Sequence, residues 1–131
     1  MGAWGTGSFE NDDAKDWVAG LNKVAPEELT RILARAVDDP GYLEAPAAYV
    51  AVAAAEVVAA LGGAPAVGAL PGIVDWANTH PQALTPELKP LAIRALERMR
   101  RNSEVKDLWM EADGLNDWIA AIQELQSRLG A

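Results

Sequence analysis

The stretch AAYVAVAAAEVVAAL, residues 47–61, decides the fold. Fourteen of its fifteen residues are apolar, Tyr49 included, and the exception is Glu56. The run is too short for a membrane span, which takes about 20 residues. A helix lying on a protein surface keeps one polar face, and this segment has none. It therefore reads as the central helix, 46–61, of an all-α, single-domain globular bundle, enclosed by its neighbours, and GGAP at 62–65 ends it.

The segments on either side supply the enclosing helices. Upstream, Leu29, Ile32, Leu33, Ala36 and Val37 form an apolar stripe that opens at Pro26 and stops at DDPG, 38–41. Glu27 and Arg31, four apart, are spaced to pair on its wet side. Before it, Ala14, Trp17, Val18 and Leu21 fall at helical spacing and predict a helix that stops near Lys23. Asn11 or Asp12 caps that helix, and Asp12, Asp13 and Asp16 lie near its positive end.

Downstream, residues 62–72 carry four glycines and two prolines and read as a loop. A short helix over 72–79 turns Ile73, Trp76 and Ala77 inward and closes at His80-Pro81. Thr85-Pro86 starts another, with Leu88, Leu91, Ala92, Ala95, Leu96 and Met99 on one face and Pro90 disturbing the first turn. Asn102 or Ser103 caps a segment carrying Val105, Leu108, Trp109 and Ala112, which Asp113-Gly114 breaks. The last helix carries Leu115, Trp118, Ile119, Ile122, Leu125 and Leu129. No segment alternates as a strand would, so the expectation is a bundle of about six or seven helices with a Gly-rich N-terminal loop. DWVAGL at 16–21 echoes DWIAAI at 117–122, a likeness that shared helix grammar explains.

With 131 residues the chain suits one domain. Alanine dominates, while there are five tryptophans and one phenylalanine, so small side chains surround a few large anchors. The absence of cysteine excludes a disulfide framework, a thiolate metal site and a cysteine nucleophile. Together with the lack of a signal-peptide pattern it predicts a cytoplasmic protein. MGAWGT carries the Gly2 and Thr6 of a myristoylation signal, but the bulky Trp4 and the missing polybasic patch argue against an anchor. The net charge of −8 repels nucleic acid and anionic lipid and suits a basic protein partner or simple solubility. Lys89, Arg94, Arg98, Arg100 and Arg101 concentrate in one segment against Glu97 alone. Acidic neighbours neutralise that segment, the alternative being a small anion-binding or protein-binding patch.

Glu56 is the most informative residue, because a carboxylate in an apolar helix is costly unless paired. Arg94 and Arg98 share a helix face and form one candidate partner set. The N-terminal loop is the other, since its glycines allow close backbone approach and Trp4 offers an indole N–H. The reading adopted is a structural clasp, in which the loop closes on Glu56. A catalytic Glu56, paired with Arg94 or Arg98 beneath the loop, is the alternative.

Other motifs carry less. WGTG lacks the lysine of a phosphate loop and follows no strand. Asp12/Asp16 and Glu104/Asp107/Glu111 share helix faces but read as capping and solvated charge, and no cofactor or metal is expected. His80, the single histidine, reads as a helix-end residue satisfied by a carbonyl. SEVK at 103–106 matches Ser-x-x-Lys without its companion motifs, and capping explains Ser103 better.

WGTGSFENDDAKDW at 4–17 resembles the start of a family of small bacterial proteins known only as a domain of unknown function. The resemblance rests on Trp4, Gly5, Gly7, Phe9, Asn11, Asp12, Ala14, Asp16 and Trp17. AAAEVVAALG at 53–62 and NSEVKDLW at 102–109, which includes Trp109, are also similar to that family's later segments. It implies a bacterial cytosolic domain without an assigned activity. The expectation is a non-enzymatic interaction module that neutralises or regulates a basic partner, with a small-ligand binder or hydrolase-like enzyme as the alternative.

Overall fold

The computed structural model describes residues 5–130. Among them are seven α-helices and no strand: α1 (Asp12–Ala19), α2 (Pro26–Asp38), α3 (Ala45–Leu61), α4 (Pro71–Thr79), α5 (Leu88–Arg101), α6 (Glu104–Glu111) and α7 (Leu115–Gly130). Short 3-10 turns at Leu21–Lys23 and Pro81–Ala83 extend the ends of α1 and α4.

The apolar α3 touches all six other helices, and Ala51, Ala53, Ala54, Ala55, Val57 and Val58 are buried within it. Alanines along a helix let neighbouring backbones come close, and leucines from α2, α5 and α7 fill the remaining space. Leu29, Leu33, Leu96, Met99, Leu125 and Leu129 are all fully buried. A second set of contacts joins α2 to α5 and α5 to α7.

Enclosure of α3 is not complete. Pro46 and Ala47 are exposed and Val50 is half-buried. They line one wall of an apolar groove of about 340 Å³, shared with Ile32 and Ala36 of α2 and rimmed by Arg35 and Asp39. An all-round apolar sequence marks the buried helix without saying how far each end is covered.

Local chemistry sets the boundaries. Asn11 takes an extended conformation, and its Oδ1 accepts a hydrogen bond from Ala14 N at 2.8 Å, starting α1. Ser103 does the same for α6, accepting from Lys106 N at 3.1 Å while donating to Met99 O at 2.9 Å. In α5 the helix begins at Leu88 rather than at Thr85-Pro86. Pro90 then falls in the first turn, where no backbone N–H is required; an earlier start would have placed it where a donor is needed. On α2, Arg31 pairs with Glu28 rather than with Glu27.

The α6–α7 junction is a tight turn. Asp113 adopts a left-handed backbone, φ 60°, and Gly114 N donates to Trp109 O at 2.8 Å. The Trp109 ring lies against Gly114 so closely that a Cβ there would stand 2.5 Å from Cε3. Gly114→Ala is therefore expected to destabilise the fold by about 1–3 kcal/mol by driving the indole out of its seat. Denaturant unfolding with tryptophan fluorescence checks this, and an unshifted midpoint with an unchanged spectrum would contradict the packing described.

Candidate functional site

Glu56 lies in the C-terminal half of α3 and is 4% exposed. Its carboxylate is paired, but with neither of the expected arginines. Arg128, near the end of α7, grips it with both terminal nitrogens: Nη1 to Oε1 and Nη2 to Oε2, each at 3.0 Å. The same guanidinium donates to Ala64 O at 3.1 Å and, through Nε, to Glu124 Oε2 at 2.6 Å. Arg128 thus ties α7 to α3 and to the connection that follows it. Burial alone would lower the pKa of Arg128, but its hydrogen bonds to Glu124 and Glu56 outweigh that and hold it above the ordinary arginine value. Two-pronged geometry of this kind is the strong form of a carboxylate–guanidinium pair.

Arg98 serves another joint. Its Nη1 and Nη2 donate to Ala36 O and Gly41 O, both at 2.6 Å, so it fastens α5 to the end of α2. Arg94 is exposed on α5. The expectation that either would meet Glu56 is corrected: sharing a helix face did not place that face opposite α3's carboxylate. A weak signal for Arg128 did exist. It follows Leu125 by three and precedes Leu129 by one, on the border of the apolar stripe, with Glu124 four residues earlier to orient it.

The N-terminal loop does close on Glu56, by a different atom from the one expected. Ser8 Oγ donates to Glu56 Oε2 at 2.6 Å. The N–H of Gly7 goes instead to Glu10 Oε1 at 2.9 Å. The Glu10 carboxylate folds back over Gly5 and Gly7, filling the space a side chain would take: Oε1 is 2.6 Å from where a Cβ on Gly7 would stand. Phe9 and Trp17 are partly buried against the core, and Asn11 is buried as the cap of α1. Asp12 and Asp16 are exposed on α1. Trp4, and the contact proposed for it, lies outside the described residues. Beneath the loop, Gly5, Gly7, Ser8 and Asn11 meet Tyr49, Trp109 and Trp118 around a small cavity of about 20 Å³. Burial, followed by the charges of Asp13 and Glu104, pushes the Tyr49 phenol above its usual pKa.

Outside the clasp is an open depression of about 310 Å³. Gly7–Glu10 and Ala66–Ala69 form its sides, and Glu10, Glu56, Glu124 and Arg128 contribute its charge. His80 is elsewhere, at the end of α4. Its ring stacks on Trp76, with centroids 4.2 Å apart, and its Nδ1 is 2.9 Å from Trp76 O. Ser8 consequently has a carboxylate beside it and no imidazole. Among the described residues, no group of three or more histidine or acidic side chains is arranged to hold a metal ion, and no helix is long and apolar enough to cross a membrane.

A second polar surface surrounds Tyr42 and α6. Tyr42 Oη donates to Asp107 Oδ2 at 2.6 Å, and Ala45 N donates to Glu104 Oε1 at 2.7 Å. The bond to Asp107, with smaller contributions from desolvation and from the charges of Asp107, Glu104 and Glu111, pushes the Tyr42 phenol up to about 12. A raised phenol pKa means that the tie is complete below the ordinary value near 10 and is lost as pH rises through the folded value. Phenolate absorbance should therefore show one tyrosine titrating near pH 12 that moves back toward 10 in Asp107→Asn. An unmoved titration in that variant would show that Asp107 does not hold the ring.

These features define a small all-α domain in which a carboxylate–guanidinium staple and a serine strap close the opening loop. The chain belongs to the family described as a domain of unknown function, DUF4259, whose model matches residues 2–121. No curated protein and no solved structure matches it. The match takes in Ser8 and Glu56 and ends before Glu124 and Arg128.

Proposed function

We propose that this domain is a non-enzymatic protein-interaction module of the bacterial cytoplasm, one that regulates or neutralises a basic partner. The observation that supports it most is the fate of Glu56. The buried carboxylate best suited to acid–base work is taken up by the Arg128 guanidinium and the Ser8 hydroxyl, and the chain's single histidine, His80, is stacked on Trp76 and not on that serine. What the molecule offers its surroundings is acidic surface, with a net charge of −8. Immobilised protein exposed to extract of its own cells should retain one stoichiometric basic protein, released as salt rises from low to moderate. Retention of no protein at either salt would overturn the reading.

The depression above the clasp favours a second reading, a small-ligand binder or hydrolase-like enzyme. In that case Arg128 takes the place given to Arg94 or Arg98. A ligand-dependent rise in melting temperature that is lost in Ser8→Ala distinguishes it from the first.

A further inference from the structure

Among the described residues, three large apolar side chains are substantially exposed: Tyr42, Val67 and Met110. Val67 stands alone on a loop. Tyr42 and Met110, 49% and 51% exposed, share one concave surface of about 320 Å³ with Leu108 and with the carboxylates of Glu104, Asp107 and Glu111. No lysine or arginine lines it. The nearest cation in sequence, Lys106, has its ammonium on Arg101 O at 3.3 Å.

Solvated charge alone does not explain this arrangement. An exposed tyrosine normally samples several rotamers, whereas Tyr42 is tethered through its hydroxyl to Asp107. Ordering a ring before contact removes part of the entropy cost of association. Met110 beside it supplies a pliable apolar surface of the kind that accommodates varied partners. Carboxylates around an aromatic and a thioether complement a segment that carries ammonium or guanidinium groups alternating with aliphatic side chains. The cation can then face both the ring and the carboxylates.

We propose that the α6 face, with Tyr42 and Met110 at its centre and Glu104, Asp107 and Glu111 around them, is the docking surface for a lysine- or arginine-bearing apolar segment of the partner protein. This rests on the interaction reading above and gives it a location and a chemistry.

The test is site-specific photo-cross-linking of the full chain in extract of its own cells. The photoreactive residue is placed in turn at Tyr42, at Met110 and, as an apolar control more exposed than either, at Val67. A synthetic amphipathic lysine–leucine peptide serves as competitor. The expected result is a discrete product from positions 42 and 110 and none from 67. The product should fall at least tenfold with the peptide or with moderate salt, and its attached segment should be rich in lysine or arginine. Products from 67 equal to those from 110 would overturn the surface while leaving the interaction reading intact. An attached segment without basic residues, or one indifferent to the peptide, would overturn the partner's chemistry. No product from any position, together with no retained protein in the capture experiment, would bring down both.

Discussion

Glu56→Ala should lower the stability of the domain by about 3 kcal/mol, because removing one member of a buried pair strips the other charge of its main buried counter-charge. For a chain of this length that is a fall of roughly 10 °C in melting temperature. Three groups lose a carboxylate acceptor at once: both terminal nitrogens of Arg128 and the hydroxyl of Ser8. Arg128 keeps Glu124 and Ala64 O, and it retains some access to water, which holds the loss below the extreme for a buried ion. Glu56→Gln, similar in shape and retaining one acceptor oxygen, should lose less. The double variant Glu56→Ala/Arg128→Met should be more stable than the sum of the losses in Glu56→Ala and Arg128→Met implies, since no guanidinium is left facing the vacated site. Thermal melts of the parent, Glu56→Ala, Glu56→Gln, Arg128→Met and the double variant decide the matter. A Glu56→Ala melt within a degree of the parent would show that the staple contributes nothing, and additive losses would show that the two residues act independently.

Ala54→Leu should be damaging from the opposite direction, by adding volume where none is available. Ala54 is fully buried, as are Ala53 and Ala55 beside it, in a helix that other helices surround. A leucine there must displace atoms of the helices that enclose α3, since no solvent-exposed space is open to it. Overpacking of this kind costs about 1–3 kcal/mol, and the upper end applies where rigid helices rather than flexible side chains must yield. The same change at exposed Ala47, on the open groove, should be nearly neutral. Equal unfolding midpoints for the two variants would mean that α3 is not packed as described. The pair separates the central part of the helix from its uncovered beginning, a distinction its apolar composition does not carry.

The helices were legible because their signals are local. Stripe spacing, the Asn11 and Ser103 caps, Pro26 at a first turn and the Asp113-Gly114 break each act within a few residues, so the order and rough limits of all seven helices follow from the chain itself. That Glu56 needs a partner was also readable, since the cost of an unpaired carboxylate inside an apolar helix does not depend on the fold. Which group answers it was not. Glu56 and Arg128 are 72 residues apart, and their meeting is set by the rotation of α7 against α3, which helical periodicity leaves free. Rotation likewise sent Arg98 to the carbonyls of Ala36 and Gly41. The strap came from Ser8, where glycine N–H groups and the Trp4 indole were expected; the Gly7 N–H goes to Glu10 instead. The joining of Tyr42 to α6 spans 65 residues and is of the same kind. Sequence by itself determined the elements, the buried helix and the demand for a counter-charge. Tertiary structure decided which side chains face one another, because pairing over such separations depends on how the helices are turned and packed.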